Sequence, residues 1–382
     1  MKTLTIVSEV FIKEKGTETV DRSFNIILDE YSKHFERINI IGPGTKDFKF
    51  IQGKNNKLFF TSTTFYAKPI KKRITYYLQL NKVKKYFKEI LEEGNSDIVQ
   101  IRIPSLFSML SYSVVKDLKL PLTSYIAGEW ESSFIANYKF FGNKLVAKLL
   151  DNNQKEIIKN SIPASAGPEI AEIYKNENSI YPYFSTTHKE AYVIEKNNDI
   201  FNLLFVGRLE GIKRVEDALL ALKMLLEQSI DVHFHIVGNG VQKQNIEKLI
   251  KENNLSKNVT LHGHISDSVL LEKLYKQADI FVFPSVSEGT PKVLAEAMSY
   301  GAIPIAVRDT GSIRHIITDG LNGFLVDAYS PKQIADKINL VLVSKDLQKN
   351  IQSNCYQYAK EHTIVREVEN MWNHIFKKLD TK

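Results

Sequence analysis

Six short apolar runs in the second half of the chain, at 203–206, 232–237, 259–262, 280–283, 303–307 and 323–326, are separated by longer stretches whose apolar residues recur at helical spacing. Strand-length runs that alternate with amphipathic helices admit few folds. Parallel neighbours in a sheet need a long crossover, and a helix supplies one. The first half reads the same way, with strands at Leu4–Val7, Ile38–Ile41, Ile98–Ile101 and Leu122–Ile126 and helical stretches around 20–35, 74–92, 106–117 and 143–160. The class is therefore α/β, with each half a doubly wound, Rossmann-like unit. A chain of 382 residues exceeds one ordinary core, and 43% hydrophobic residues are enough to fill two. The polar stretch 186–200, ending in EKNNDI, marks the boundary between a domain at 1–190 and a second at 191–361.

Charge and composition narrow the class. Residues 1–190 hold 28 Lys and Arg against 21 Asp and Glu, whereas 191–382 hold 23 of each, so the whole net charge of +7 belongs to the first half. It concentrates in Lys68–Leu91, where Ile74, Tyr77, Leu78, Val83, Phe87 and Ile90 can share one helical face and lysines another. Such a helix either docks on an anionic membrane surface or turns its lysines to water. No zinc-ligand spacing, aromatic RNA-binding signature or helix-turn-helix accompanies it, so nucleic acid is not expected as a partner. A lone Cys355 excludes an internal disulfide and suits a reducing compartment. No apolar stretch approaches the length of a membrane span, and the start MKTLTIVSEVF lacks the longer apolar core of a signal peptide. These features point to a cytoplasmic protein, peripheral on the inner membrane face if the basic helix docks there.

The chemistry concentrates in Ser285–Gly301, SVSEGTPKVLAEAMSYG. A strand ending at Phe283 runs into a loop, Thr290 reads as a helix N-cap with Pro291 at the first helical position, and Val293, Leu294, Ala297 and Met298 carry the apolar face until Gly301 stops the helix. Glu288 then stands on the loop and Glu296 more than one turn down the helix. Two carboxylates at different depths suit two hydroxyl-bearing rings. The unpaired N–H groups after Gly289 can hold an anion between the rings, so the spacing suits a sugar nucleotide. Carboxylates beside a diphosphate repel it, so cations are required from elsewhere. The segment LLFVGRLEGIKRVEDALLAL supplies them: Leu203–Val206 is a strand, Gly207 starts the turn, and Arg208 and Lys213 lie on the loop at the strand's carboxyl end, where open α/β sheets bind ligands.

Glu288-x7-Glu296, Pro284-Ser285, the run Gly301–Ala306, the DGLNGFLV run Asp319–Val326, and Gly207-Arg208 with Lys213 together resemble glycosyltransferase family four, the retaining glycosyl transferases of group 1. The resemblance covers about Leu203 to Val343. It implies a GT-B fold: two Rossmann-like domains facing across a cleft, an N-terminal acceptor-binding domain and a C-terminal nucleotide-sugar-binding domain, with the last helix, about 362–382, crossing back to the first. Periodicity alone allows that helix to cap the second domain instead. The resemblance also places the loop at His264 near the nucleotide base. The chain departs from the family at three points, one of them His315, where relatives tend to have glutamate. One glycine, Gly16, stands where relatives carry a pair after the first strand. The segment Tyr125–Glu131 lacks the relatives' donor-contacting histidine, so Glu129 and Trp130 are the candidates there, either touching a sugar or serving as a loop residue and a core residue.

The expected activity is a retaining hexosyl transfer from a UDP- or GDP-sugar to a glycan or glycolipid acceptor, such as a lipid-linked or surface-polysaccharide precursor. Arg208 and Lys213 would hold the diphosphate, Glu296 the ribose, and Glu288 with Gly289, Thr290, Pro291 and Leu294 the sugar end of the donor. No Asp-x-Asp triplet occurs, so no metal or other cofactor is expected. The alternatives are a noncatalytic sugar-nucleotide-binding partner of another transferase and a GT-B nucleotide-sugar epimerase.

Overall fold

The computed structural model describes residues 2–8, 12–14, 17–19, 22–43, 50–52, 57–63, 80–193, 196 and 200–381. The chain divides into two compact units, Met1–Phe184 with Glu367–Lys382, and Ser185–Arg366. The breaks follow Phe184 and Arg366, where the sequence reading has 190 and 361.

The first unit holds an eight-stranded sheet and a small hairpin. Its strands are β1 (Thr3–Val7), β4 (Arg37–Pro43), β5 (Phe50–Gln52), β6 (Lys57–Thr63), β7 (Ile98–Ile103), β8 (Leu122–Ile126), β9 (Ile162–Ala166) and β10 (Tyr181–Tyr183), and β2 (Ile12–Glu14) pairs with β3 (Thr17–Thr19). The sheet order is β10-β9-β8-β7-β1-β4-β6-β5. All neighbours are parallel except β5, which runs antiparallel to β6 at the edge. Leu4, Ile6, Ile38, Ile40, Val99 and Ile101 are fully buried, as expected of parallel strands covered on both faces. The last helix, Ile364–Leu379, returns the chain to this unit. Trp372 is fully buried there, edge-on to Tyr31 at 5.2 Å and to Phe35 at 4.6 Å. Glu367 accepts the backbone N–H of Phe184 at 3.0 Å, which ties the returning helix to the segment that leaves the unit. Of the basic segment Lys68–Leu91, residues 68–79 lie outside the described residues. The remainder starts the helix Leu80–Glu93, in which Phe87 and Leu91 are buried and Lys85 and Lys88 exposed.

The second unit is a six-stranded, wholly parallel sheet of β11 (Phe201–Val206), β12 (Val232–Val237), β13 (Val259–Gly263), β14 (Ile280–Phe283), β15 (Ile303–Val307) and β16 (Phe324–Val326), in the order β13-β12-β11-β14-β15-β16. Strand order reverses at β11, which has β12 on one side and β14 on the other. The helix Val215–Glu227 buries Val215, Ala218, Leu219, Leu222 and Leu225, at the spacing of one helical face. The three helices Pro331–Val343, Lys345–Glu361 and Ile364–Leu379 account for the helical end of the chain.

Candidate active site

β11 and β14 are neighbours across the point of reversal, so the loops leaving their carboxyl ends share one crevice, the usual ligand position in such sheets. The loop after β11 is held first by the loop after β12. Gly207 donates to the carbonyl of Val237 at 3.0 Å, and Leu209 donates to Asn239 at 2.9 Å. Gly238 has φ +152°, and a Cβ there would lie 1.8 Å from the Gly207 carbonyl oxygen, so only glycine lets these backbones touch. Leu209 is fully buried, which leaves its neighbour Arg208 pointing outward.

The same loop then makes a 3₁₀ turn, Gly211–Lys213, that is stitched to the loop after β14. Val286 donates its N–H to the Ile212 carbonyl at 2.9 Å, and the Ser285 hydroxyl donates to the same oxygen at 3.2 Å. The consequence is the central pair of the site: Lys213 Nζ donates to Glu288 Oε1, with both side chains only 12% exposed. The ammonium also lies 5.7 Å from the Phe283 ring centroid, within cation–π range. A third loop closes on Glu288 from the far side. Gly311, at φ +50°, would place a Cβ 2.2 Å from the Gly289 carbonyl oxygen, and Ser312 donates its N–H to that oxygen at 2.9 Å.

The helix that follows begins one residue later than expected. It spans Lys292–Ser299, and Pro291, at φ −76° and ψ 99°, is its cap residue. Thr290 is therefore not the N-cap: its hydroxyl lies 3.2 Å from that of Ser312 and so joins two loops rather than a helix end. Leu294 is a core residue, fully buried, and its N–H donates to the Pro291 carbonyl at 3.2 Å.

Glu296 lies apart from the Lys213–Glu288 pair in its bonding. One carboxylate oxygen accepts from the Thr187 hydroxyl and the other from Tyr275 at 3.1 Å. Burial of Tyr275, reinforced by the Glu296 charge, raises its pKa well above the ordinary value, so the phenol remains a donor. Its ring stacks on Tyr300 at 5.8 Å, and Tyr300 stacks on Tyr192 at 5.2 Å. Arg208 is not drawn to the pair either. Its side chain is 75% exposed and pairs with Glu210 at 2.7 Å. His264 is exposed just beyond β13. Gly16 lies outside the described residues. In the first unit, Trp130 opens the helix Trp130–Asn137 with Glu129 as its cap residue, where the sequence reading has a loop. The indole N–H of Trp130 is buried without a partner.

Two features escape the sequence reading. Gly238 and Gly311 make the loop contacts on which the pair depends, and the run VGNG straight after a strand was the available signal for the first. His233, His235 and His262 gather on β12 and β13, with His235 Nδ1 3.0 Å from His262 Nε2. Alternation along β12 puts two of them on one face, but only strand pairing brings in the third. Burial first, then the like charge of His233 and His262, lowers the pKa of His235 to about 4. Among the described residues, no group of three or more His, Cys, Asp or Glu is arranged to hold a metal ion, and no helix is long and apolar enough to cross a membrane.

Residues 186–361 match the family of glycosyl transferases group 1. An uncharacterised glycosyltransferase of Methanocaldococcus jannaschii is 31% identical over 174 residues, 44% of each chain. The capsular polysaccharide biosynthesis glycosyltransferase CapM of Staphylococcus aureus is 27% identical over 193 residues, 48% of this chain and 49% of CapM. This chain thus spans about half the length of these relatives. The crystal structure of Anabaena HepE in complex with UDP superposes over 100% of both chains with a TM-score of 0.70 at 15% identity, a likeness of fold.

Proposed function

We propose that this chain, which belongs to the glycosyl transferases group 1 family through residues 186–361 and has the GT-B fold, is a retaining, metal-independent hexosyltransferase that uses a UDP- or GDP-sugar. The observation that carries the reading is the Lys213–Glu288 pair, largely withdrawn from water at the carboxyl ends of β11 and β14. A cation and a carboxylate side by side suit a ligand that is anionic at one end and hydroxylated at the other. Lys213 would take the diphosphate and Glu288 a sugar hydroxyl. As the bond from sugar to phosphate breaks, negative charge grows on the leaving diphosphate, and a preorganised ammonium stabilises that state more than the ground state. Arg208, exposed beside it, would add a second cation, and Glu296, oriented by Thr187 and Tyr275, would accept from the ribose hydroxyls. Among the described residues the site offers no evident enzymic base, so the departing phosphate would take the acceptor's proton.

UDP bound to the structural neighbour HepE supports a uridine donor, and the role named for CapM supports a surface-polysaccharide acceptor. The second unit would bind the donor, while the first, with Glu129 and Trp130, would bind the acceptor. A cytoplasmic position, peripheral on the membrane if the acceptor is lipid-linked, follows from the same reading. The test is a panel of nucleotide sugars scored by thermal stabilisation, followed by transfer assays with and without EDTA. A nucleotide sugar that raises the melting temperature and is turned over equally in EDTA supports the proposal; stabilisation by none of them, or a rate abolished by EDTA, rejects it.

A further inference from the structure

The second unit carries a concavity at the opposite end of its sheet. Ala278 and Gly301 precede β14 and β15, whereas Lys213 and Glu288 follow β11 and β14, so a cleft beside Ala278 and Gly301 is separate from the site above. Its volume is about 620 Å³, within the size of small-molecule sites and more than a bare ion needs. One wall is the helix Lys345–Glu361. Its buried face is pinned by Ile351 and Cys355, and the neighbouring face turns Lys345, Lys349, Gln352 and Tyr356 to the cleft. Tyr192 and Lys196 form the other wall.

The chemistry of this lining is one-sided. Three ammonium groups face it, and among the described residues its lining contains no Asp or Glu. Lys345 and Lys349 make no ion pair among the described residues, although lysines at helical spacing are elsewhere matched with glutamates, as Lys243 is with Glu247. Lys196 Nζ donates to the Ala278 carbonyl, a neutral partner. Burial lowers its pKa to about 8, more than the attraction of Asp279 restores. Gln352 Nε2 is buried with no partner. Like charges around a concavity repel one another, and a bound anion turns that repulsion into attraction. Tyr356 and Tyr192, the latter with its ring stacked on Tyr300, complete the lining, and the Gln352 amide is a donor suited to a hydroxyl.

We propose that this cleft binds a phosphate monoester of a sugar or polyol, with Lys196, Lys345 and Lys349 on the phosphate and Gln352, Tyr192 and Tyr356 on the hydroxyl-bearing part. The proposal needs no turnover and stands or falls apart from the donor reading. The test is calorimetric titration of the full chain with glucose 6-phosphate and with glycerol 3-phosphate, with inorganic phosphate, glucose and UDP as comparisons. At least one ester binds saturably, more tightly than inorganic phosphate, and is not displaced by UDP. The exposed substitutions Lys345→Ala and Lys349→Ala together weaken that binding by about tenfold or more, the loss expected for charge-assisted hydrogen bonds, and leave the melting temperature unchanged. Four results overturn it: no saturable binding of either ester, equal binding of inorganic phosphate (an adventitious ion only), indifference to the two substitutions, or displacement by UDP.

Discussion

Replacing Lys213 by Met removes the ammonium while keeping an apolar stem against Phe283, and it strands the Glu288 carboxylate at 12% exposure. Exposed ion pairs contribute at most about 1 kcal/mol, whereas breaking a buried one costs about 3–5 kcal/mol. At this exposure an intermediate cost of about 2–3 kcal/mol is expected. For a unit of this size it lowers the melting temperature by about 4–12 °C. Turnover falls further, by about 10²–10³-fold, the usual result of deleting one donor to a developing oxyanion. The two effects separate in a double-mutant cycle. Glu288→Gln in the Lys213→Met background leaves no stranded charge, so the melting temperature recovers, but turnover does not. Scanning calorimetry and initial rates with the donor found in the panel read both. Turnover of Lys213→Met within about threefold of the parent would remove Lys213 from the chemistry. Recovery of turnover in the double variant would show that the loss came from the stranded Glu288 carboxylate and that neither charge takes part in the chemistry.

Arg208→Ala should lower turnover by about a hundredfold without moving the melting temperature, because the side chain is 75% exposed and its partner Glu210 stays in reach of water; equal rates in calorimetrically matched samples would reject a role for it. Tyr275→Phe deletes the 3.1 Å hydrogen bond to Glu296 and should raise the Michaelis constant for the nucleotide sugar several-fold with turnover nearly unchanged; a fall in turnover alone would contradict the assigned ribose contact. His235, held at a pKa of about 4 in the fold against an ordinary 6.5, is neutral where the unfolded chain is protonated. Its contribution to stability is therefore present above about 6.5 and is lost as pH falls towards 4. Denaturant midpoints at pH 7.5 and 5 should show this decline, and His235→Gln should flatten it.

The parallel strands of the second unit were legible because they are buried on both faces and so read as continuous apolar runs: Ile280, Phe281, Val282 and Phe283 are each at most 1% exposed. β9 and β10 were not. Ile162–Ala166 is IPASA and Tyr181–Tyr183 is YPY, too short and too rich in small residues or proline to stand out beside the helix and linker around them. The site shows the same divide. Glutamates at Glu288 and Glu296 and cations at Arg208 and Lys213 can be picked out by residue type, but which of them meet depends on strand order, and an apolar run does not name its neighbour. β11 lies beside β14 although two strands intervene in the chain. Even then, Arg208 and Lys213 share one loop and only Lys213 reaches Glu288. The difference is set by two hydrogen bonds to a single carbonyl, that of Ile212, from Val286 and Ser285. A backbone contact of this kind has almost no side-chain signature, because any residue except proline can supply the N–H of Val286. What such close approaches do leave in the sequence is the glycines they demand, here Gly238 and Gly311.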